Sequence, residues 1–225
     1  MSELHFFPGQ HVMVVFTHGK PGRRFDAYGG PEFGGSDPRM REEPTWPGKY
    51  TIHSIERHTT PKWPLSKIKW GTPLKVIPYK VVGGKSVPED VWYQLPGGKW
   101  GSVNELFGIT SSVAVISSLN NDYYNVKKVP STWVFNDFGP MAIRYFKDLN
   151  GNGVLDGKER LSGEMIHTTP KNEAQTALND PKNPVKLVES HGCIHIKPVD
   201  RDMLNSMGLF KPGTSFFVHK YSERI

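Results

Sequence analysis

A mainly β fold with one late α-helix is what this sequence predicts, and three observations carry it. Nineteen prolines and 23 glycines punctuate the 225 residues and leave little room for long helical periodicity. Short β-branched or alternating runs recur near both ends of the chain. One stretch near the C-terminus alone carries helix start and stop signals together.

Taken in order, "HVMVVFT" (11–17) is a β-branched run, and the turn "HGKPG" leads into "RRFDAYGG" as an N-terminal hairpin. "GKYTIHSI" (48–55) alternates like another strand. "MAIRYF" (141–146) and "GEMIHTT" (163–169) read as a strand pair around a Gly/Asn-rich loop, and "TSFFVHKY" (214–221) closes the set. The helix is "PVDRDMLNSMG", with Pro198 at its start, Asp200 and Asp202 early, and Gly208 as the stop. Between these, residues 57–136 read as irregular and hold five of the six tryptophans. The chain is thus expected to be a single domain, 1–225, with 57–136 inserted as a lid or cap.

Bulk properties exclude more than they assign. Mean hydropathy is −0.48, and no apolar run approaches the roughly 18 residues of a membrane helix. "MSELHFFPGQ" has neither the basic nor the apolar region of a secretory signal. The 28 basic and 22 acidic residues are scattered, so the net charge of +6 describes a solvated surface rather than a nucleic-acid-binding face. A single cysteine rules out an internal disulfide.

That cysteine sits in "VKLVESHGCIHIKPVD" (185–200), with a histidine two places away on either side. In an extended segment His191, Cys193 and His195 share one face, and Ile194 and Ile196 point the other way into a core. Gly192 removes a side chain just before the thiol, so a carbonyl can approach the backbone N–H groups there. A cysteine nucleophile needs such surroundings: a base or cation to favour the thiolate and donors for an oxyanion. Two plainer readings stand beside it. One is a buried, inert cysteine. The other is zinc, for which His191 and His195 lie about 13 Å apart on an ideal strand and distant ligands would be needed.

"SHGCIHI" resembles the signature of the L,D-transpeptidase catalytic domain (YkuD type): a histidine, a spacer, then Ser/Thr-His-Gly-Cys, a hydrophobic residue and Asn or Arg. The upstream histidine matches His167 in "MIHTTP", and Ser190 begins the second element. "EPTWPGKYTI" is similar to the family's Pro-Gly strand opening, and the tail from Lys197 to Lys220 to its last helix and strand. The resemblance covers roughly residues 10–56 and 137–221. Three positions depart from the pattern: His195 replaces Asn or Arg, Thr168 follows His167 in place of Gly, and 22 residues (168–189) separate the two motif parts.

The resemblance implies a β-sandwich and an enzyme acting on peptidoglycan stem tetrapeptides. Cys193 would form a thioester with the carbonyl of the third residue, expelling the terminal D-alanine. His167 would be general base and acid, oriented by a backbone carbonyl near Thr168. His191 would support the site, and the N–H groups of Gly192 and Cys193 would form the oxyanion hole. An amine, a free D-amino acid or water would then take the acyl group, with no organic cofactor. Action in the periplasm or cell wall follows. Without a visible signal peptide, export as an antibacterial effector is one expectation, which would bring a secretion-system or immunity partner.

"DLNGNGVLDGKE" (148–159) fits the calcium-loop pattern D-x-[DN]-x-[DN]-G-x5-E. Asp148, Asn150, Asn152 and Glu159 supply oxygens, Val154 a backbone carbonyl, Gly153 the turn, and Asp156 a further carboxylate. A structural Ca2+ that holds the strand pair carrying His167 is expected; a plain Asn/Gly-rich hairpin loop is the simpler reading. Trp46, Trp63, Trp70, Trp92, Trp100 and Trp133 suit packing better than a carbohydrate platform. The competing functional reading is a non-catalytic, calcium-braced wall-binding module.

Overall fold

The structure, a computed structural model, describes residues 2–35, 43–78, 80–82, 85–87 and 89–225. In chain order its elements begin with β1 Ser2–Phe7, β2 Val12–Thr17, β3 Lys20–Tyr28, β4 Gly48–Glu56, β5 Leu74–Ile77, β6 Lys80–Val82, β7 Lys85–Val87, β8 Asp90–Gln94 and β9 Trp100–Ser102. Then come α1 Val103–Phe107, α2 Ser112–Tyr124, β10 Ala142–Phe146, β11 Leu161–His167, α3 Pro170–Leu178, β12 Ile194–Ile196, α4 Pro198–Ser206 and β13 Ser215–Val218. They fall into two compact units: Met1–Glu56, Met141–Thr168 and Val185–Ile225 form the first, Arg57–Pro140 and Thr169–Pro184 the second.

The first unit is one sheet closed on itself in the order β1-β13-β4-β10-β11-β12-β3-β2. The facing walls of the expected sandwich are therefore parts of a single barrel, which leaves no open edge. His18 and Gly19 link β2 to β3 with both φ angles positive, 52° and 72°. That is the two-residue hairpin turn whose twist matches the strands. β1, which the sequence reading missed, pairs antiparallel with β2 and parallel with β13 and so completes the barrel. Leu4, Phe6, Met13, Ile52, Ile143, Ile166, Ile194, Ile196, Leu204 and Phe216 are fully buried in its core. Each such side chain contributes ~1.5–3 kcal/mol of burial.

The late helix α4 lies where expected, with Pro198 in its first turn and Gly208 just beyond it at φ 75°. The second unit holds more regular structure than its Pro/Gly-rich sequence suggests. A sheet β5-β8-β9 carries α1 and α2 on a core of Ile68, Val91, Val103, Ile116, Trp133 and Phe135. Asn136, fully buried, donates to the carbonyls of His58 and Ile68 at 2.9 Å each and accepts from the Phe138 N–H at 2.9 Å. Trp133 is a core residue whose Nε1–H is satisfied by the Leu65 carbonyl at 2.9 Å. The 22 residues between His167 and Ser190 contain α3, capped by the Thr169 side chain and opened by Pro170. No helix among the described residues is long and apolar enough to cross a membrane.

Candidate active site

β11 and β12 run side by side in parallel, with Ile166 opposite Ile194 and His167 opposite His195. The two isoleucines face the core, so the alternating residues share the other face. The expected alternation is thus present: from His191 to Pro198 half-buried and buried residues strictly alternate, with His191, Cys193 and His195 half-buried. The Cys193 thiol takes a hydrogen bond from the backbone of Met165, two residues before His167. Cys193, His195, Met165 and His167 therefore form one patch across two adjacent strands.

His167 is buried, and its Nδ1 lies 2.7 Å from the Thr168 carbonyl. A carbonyl only accepts, so neutral His167 carries its proton on Nδ1 and keeps the Nε2 lone pair for chemistry. Thr168 is itself held: it is fully buried, and its Oγ1 accepts from Arg201 Nη1 of α4 at 3.4 Å. Arg201 is a buried cation that sequence reading passed over, because nothing in "PVDRDM" says that the helix turns it inward.

His195 packs against His167 edge to face, with ring centres 4.8 Å apart. Its Nδ1 lies 3.0 Å from the Val188 carbonyl. Burial, with a smaller contribution from His191, lowers its pKa, although the Val188 carbonyl opposes the shift. The residue that departs from the family pattern thus packs directly on His167.

Burial pushes the Cys193 thiol up to about 11; the Met165 hydrogen bond and Arg144 oppose this, and Glu164 adds to it. The resting group is a thiol, and no ready-made thiolate waits for substrate.

The turn before the thiol departs from expectation in one respect. The Gly192 N–H, assigned above to an oxyanion, donates to Ser190 Oγ at 3.1 Å. Ser190 Oγ in turn donates to the Cys193 carbonyl. Ser190 thereby closes a tight turn that only Gly192, at φ +107°, accommodates comfortably. Thr45 buttresses the same turn from outside, its Oγ1 donating to the Gly192 carbonyl at 2.8 Å and accepting from Gly30 N–H at 3.0 Å. Tyr221 completes the brace: its hydroxyl donates to the Gly30 carbonyl at 2.6 Å and accepts from Thr45 N–H at 3.0 Å. A Cβ on Gly30 would stand 1.8 Å from the Glu43 carbonyl, so the backbones must meet here. The glycine pair of "AYGG" was the available sign of this contact.

The loop at 148–159 folds its side-chain oxygens onto its own amides. Asp148 accepts from Gly151 and Gly153 N–H at 2.7 and 2.8 Å, Asn150 from Asn152, and Asn152 from Val154. Glu159, buried, accepts from Leu149 and Asp156 N–H at 2.7 and 3.1 Å. Asp156 is held by the Asn150 and Asn152 side-chain amides at 3.0 and 2.8 Å. Among the described residues no three His, Cys, Asp or Glu are grouped to hold a metal, which applies to this loop and to Cys193 with its histidines alike.

With this geometry in place, the comparison with known families is direct. The profile of the L,D-transpeptidase catalytic domain, the YkuD type, matches residues 6–218, and the chain belongs to that family. Two similar solved structures are an L,D-transpeptidase from Mycobacterium smegmatis and Mycobacterium tuberculosis L,D-transpeptidase 1. Both are 14% identical over 97% of this chain, with TM-scores of 0.36 and 0.35. The chain covers 59% and 62% of their lengths. No curated protein matches the sequence.

Proposed function

We propose that this protein is a cysteine-dependent transferase of peptidoglycan stem tetrapeptides, acting in the cell wall or periplasm. Family membership supports the class, and the β11–β12 register supports the assignment of roles: it lays Cys193 beside Met165 and, two residues further along the same strands, His195 beside His167. His167 Nε2 takes the proton of the Cys193 thiol as sulfur attacks the carbonyl of the third stem residue. The C–S bond forms and the C–N bond to terminal D-alanine breaks, with the proton passed from His167 to the leaving amine. An amine or water then attacks the thioester carbon, gives its proton to His167, and restores the thiol. The Cys193 N–H stabilises the oxyanion, and Gly192 N–H joins it when Ser190 Oγ turns away.

Because the resting thiol is protonated, deprotonation belongs to the attack itself. Removing His167 therefore costs about 10²–10⁴-fold in acylation. The test is mass spectrometry of tetrapeptide muropeptides incubated with the protein beside a Cys193→Ala control. Cross-linked dimers identify transpeptidation, tripeptides hydrolysis, and substituted stems D-amino-acid exchange. Unchanged substrate with the wild-type protein would overturn the proposal and leave the wall-binding reading.

We also assign Ca2+ to the loop at 148–159. The oxygen set of Asp148, Asn150, Asn152, Asp156 and Glu159, with the Val154 carbonyl, suits a hard cation. Gly153 makes the sharp turn at φ 74°. Binding would exchange the internal amide contacts for metal ligation and stiffen the connection between β10 and β11.

A further inference from the structure

Glu164 sits on β11, three residues before His167, and its side chain occupies the space that Gly192 leaves. A Cβ at Gly192 would lie 3.2 Å from Glu164 Cγ and 3.8 Å from its Oε1. Among the described residues its hydrogen-bond partner is Ser162 Oγ alone, and no cation pairs with it. Arg144 is committed to Glu56 at 3.0 Å and to the Ser162 carbonyl at 3.1 Å. A carboxylate beside a thiol that must become an anion opposes the chemistry, since like charges at short range disfavour ionisation.

A second observation points the same way. The backbone of Glu43, 3.7 Å from that Gly192 Cβ position, also walls a cavity of about 510 Å³. Glu32 and Glu43 line it together with exposed Phe33 and Trp46, and its described lining holds no lysine or arginine. Carboxylates with open aromatic faces make a setting for an organic cation.

We infer that Glu164 is a specificity-determining residue that receives a free ammonium group of the acyl donor. This rests on the acylation chemistry proposed above and adds to it which donors are accepted. The bonds made and broken are those already given; the ammonium on Glu164 enters and leaves with the donor and transfers no proton.

The experiment compares two stem tetrapeptides, one with a free side-chain ammonium on the third residue and one with that nitrogen acetylated. Each is added to the full chain and to Glu164→Gln, and thioester formation is followed by intact mass. Cys193 alkylation by iodoacetamide is measured in parallel without peptide. The wild type is expected to favour the free ammonium at least about tenfold, and Glu164→Gln to lose that preference. Without peptide, Glu164→Gln is expected to alkylate about threefold faster, because a lower thiol pKa enriches thiolate while softening each one. Equal rates with both donors on the wild type, or a preference retained in Glu164→Gln, would overturn the inference while leaving the enzyme reading intact. Failure of both donors to acylate the wild type would overturn the enzyme reading and the donor assignment together. The wild-type comparison of donors decides the matter even if the variant does not fold.

Discussion

Cys193 is a half-buried thiol whose proton is held tightly, and its reactivity should show that directly. With the pKa pushed up to about 11, alkylation of the free protein should climb with pH without a plateau across the neutral and mildly alkaline range. A plateau reached below neutrality would instead reveal a preformed thiolate–imidazolium pair. Gly192 is the second residue whose role is testable alone. Gly192→Ala meets both the positive φ and the Glu164 side chain, and should cost on the order of 1–3 kcal/mol in thermal denaturation along with most acylation. Neither Glu164 nor Arg201 could be read from the chain as functional, because their importance comes from which residue the fold puts opposite them.

At the scale of elements, β11 is the piece that everything else positions. α4 reaches it through Arg201 and Thr168, which supplies the carbonyl that aims His167. Arg201→Met should lower kcat for acylation about tenfold with KM little changed, and Arg201→Lys should recover part of the loss. An equal loss in both variants would mean the arginine merely packs. The loop before β11 makes a separate prediction: Ca2+ in large excess over its Kd should raise Tm, by the equivalent of ~2.7 kcal/mol at a hundredfold excess. A Glu159→Gln variant should lose the effect, and an unchanged wild-type Tm would remove calcium from the account. The strands with clean alternation or β-branched runs, and α4 with its Pro198 and Gly208, were legible because local chemistry marks them. β1 was not, since "SELHFF" buries four residues in succession and shows no alternation. α3 was hidden for another reason: its caps, Thr169 and Asn179, are ordinary turn residues until the helix between them is known.

For the whole molecule, the charge balance with pH follows from two histidines, His5 buried and His195 half-buried. Burial is the first cause that lowers both His5 and His195 below their ordinary 6.5. The unfolded chain then takes up protons that the folded one refuses, so stability is full above that value and falls as pH drops below it. Denaturation midpoints measured from about pH 8 to 5 should decline over the lower part, and His195→Gln should flatten the decline. A midpoint that rose on acidification would contradict this burial. The motif "SHGC" with His167 pointed to residues that the fold brings onto two adjacent strands, and to the Thr168 carbonyl beside His167 Nδ1, because chemistry constrains those residue types. The division into two units was not legible, since residues 169–184 join 57–140 only through packing that no local pattern announces.

The central claim, that Cys193 is acylated by a stem peptide, is tested most directly by the intact mass of the protein quenched in acid after brief mixing with tetrapeptide. The account predicts an adduct equal to the tetrapeptide less one molecule of D-alanine, that is the tripeptide less water, mapped to Cys193 and absent in Cys193→Ala. An unmodified mass, with free D-alanine nonetheless released, would contradict it and place the chemistry on another residue.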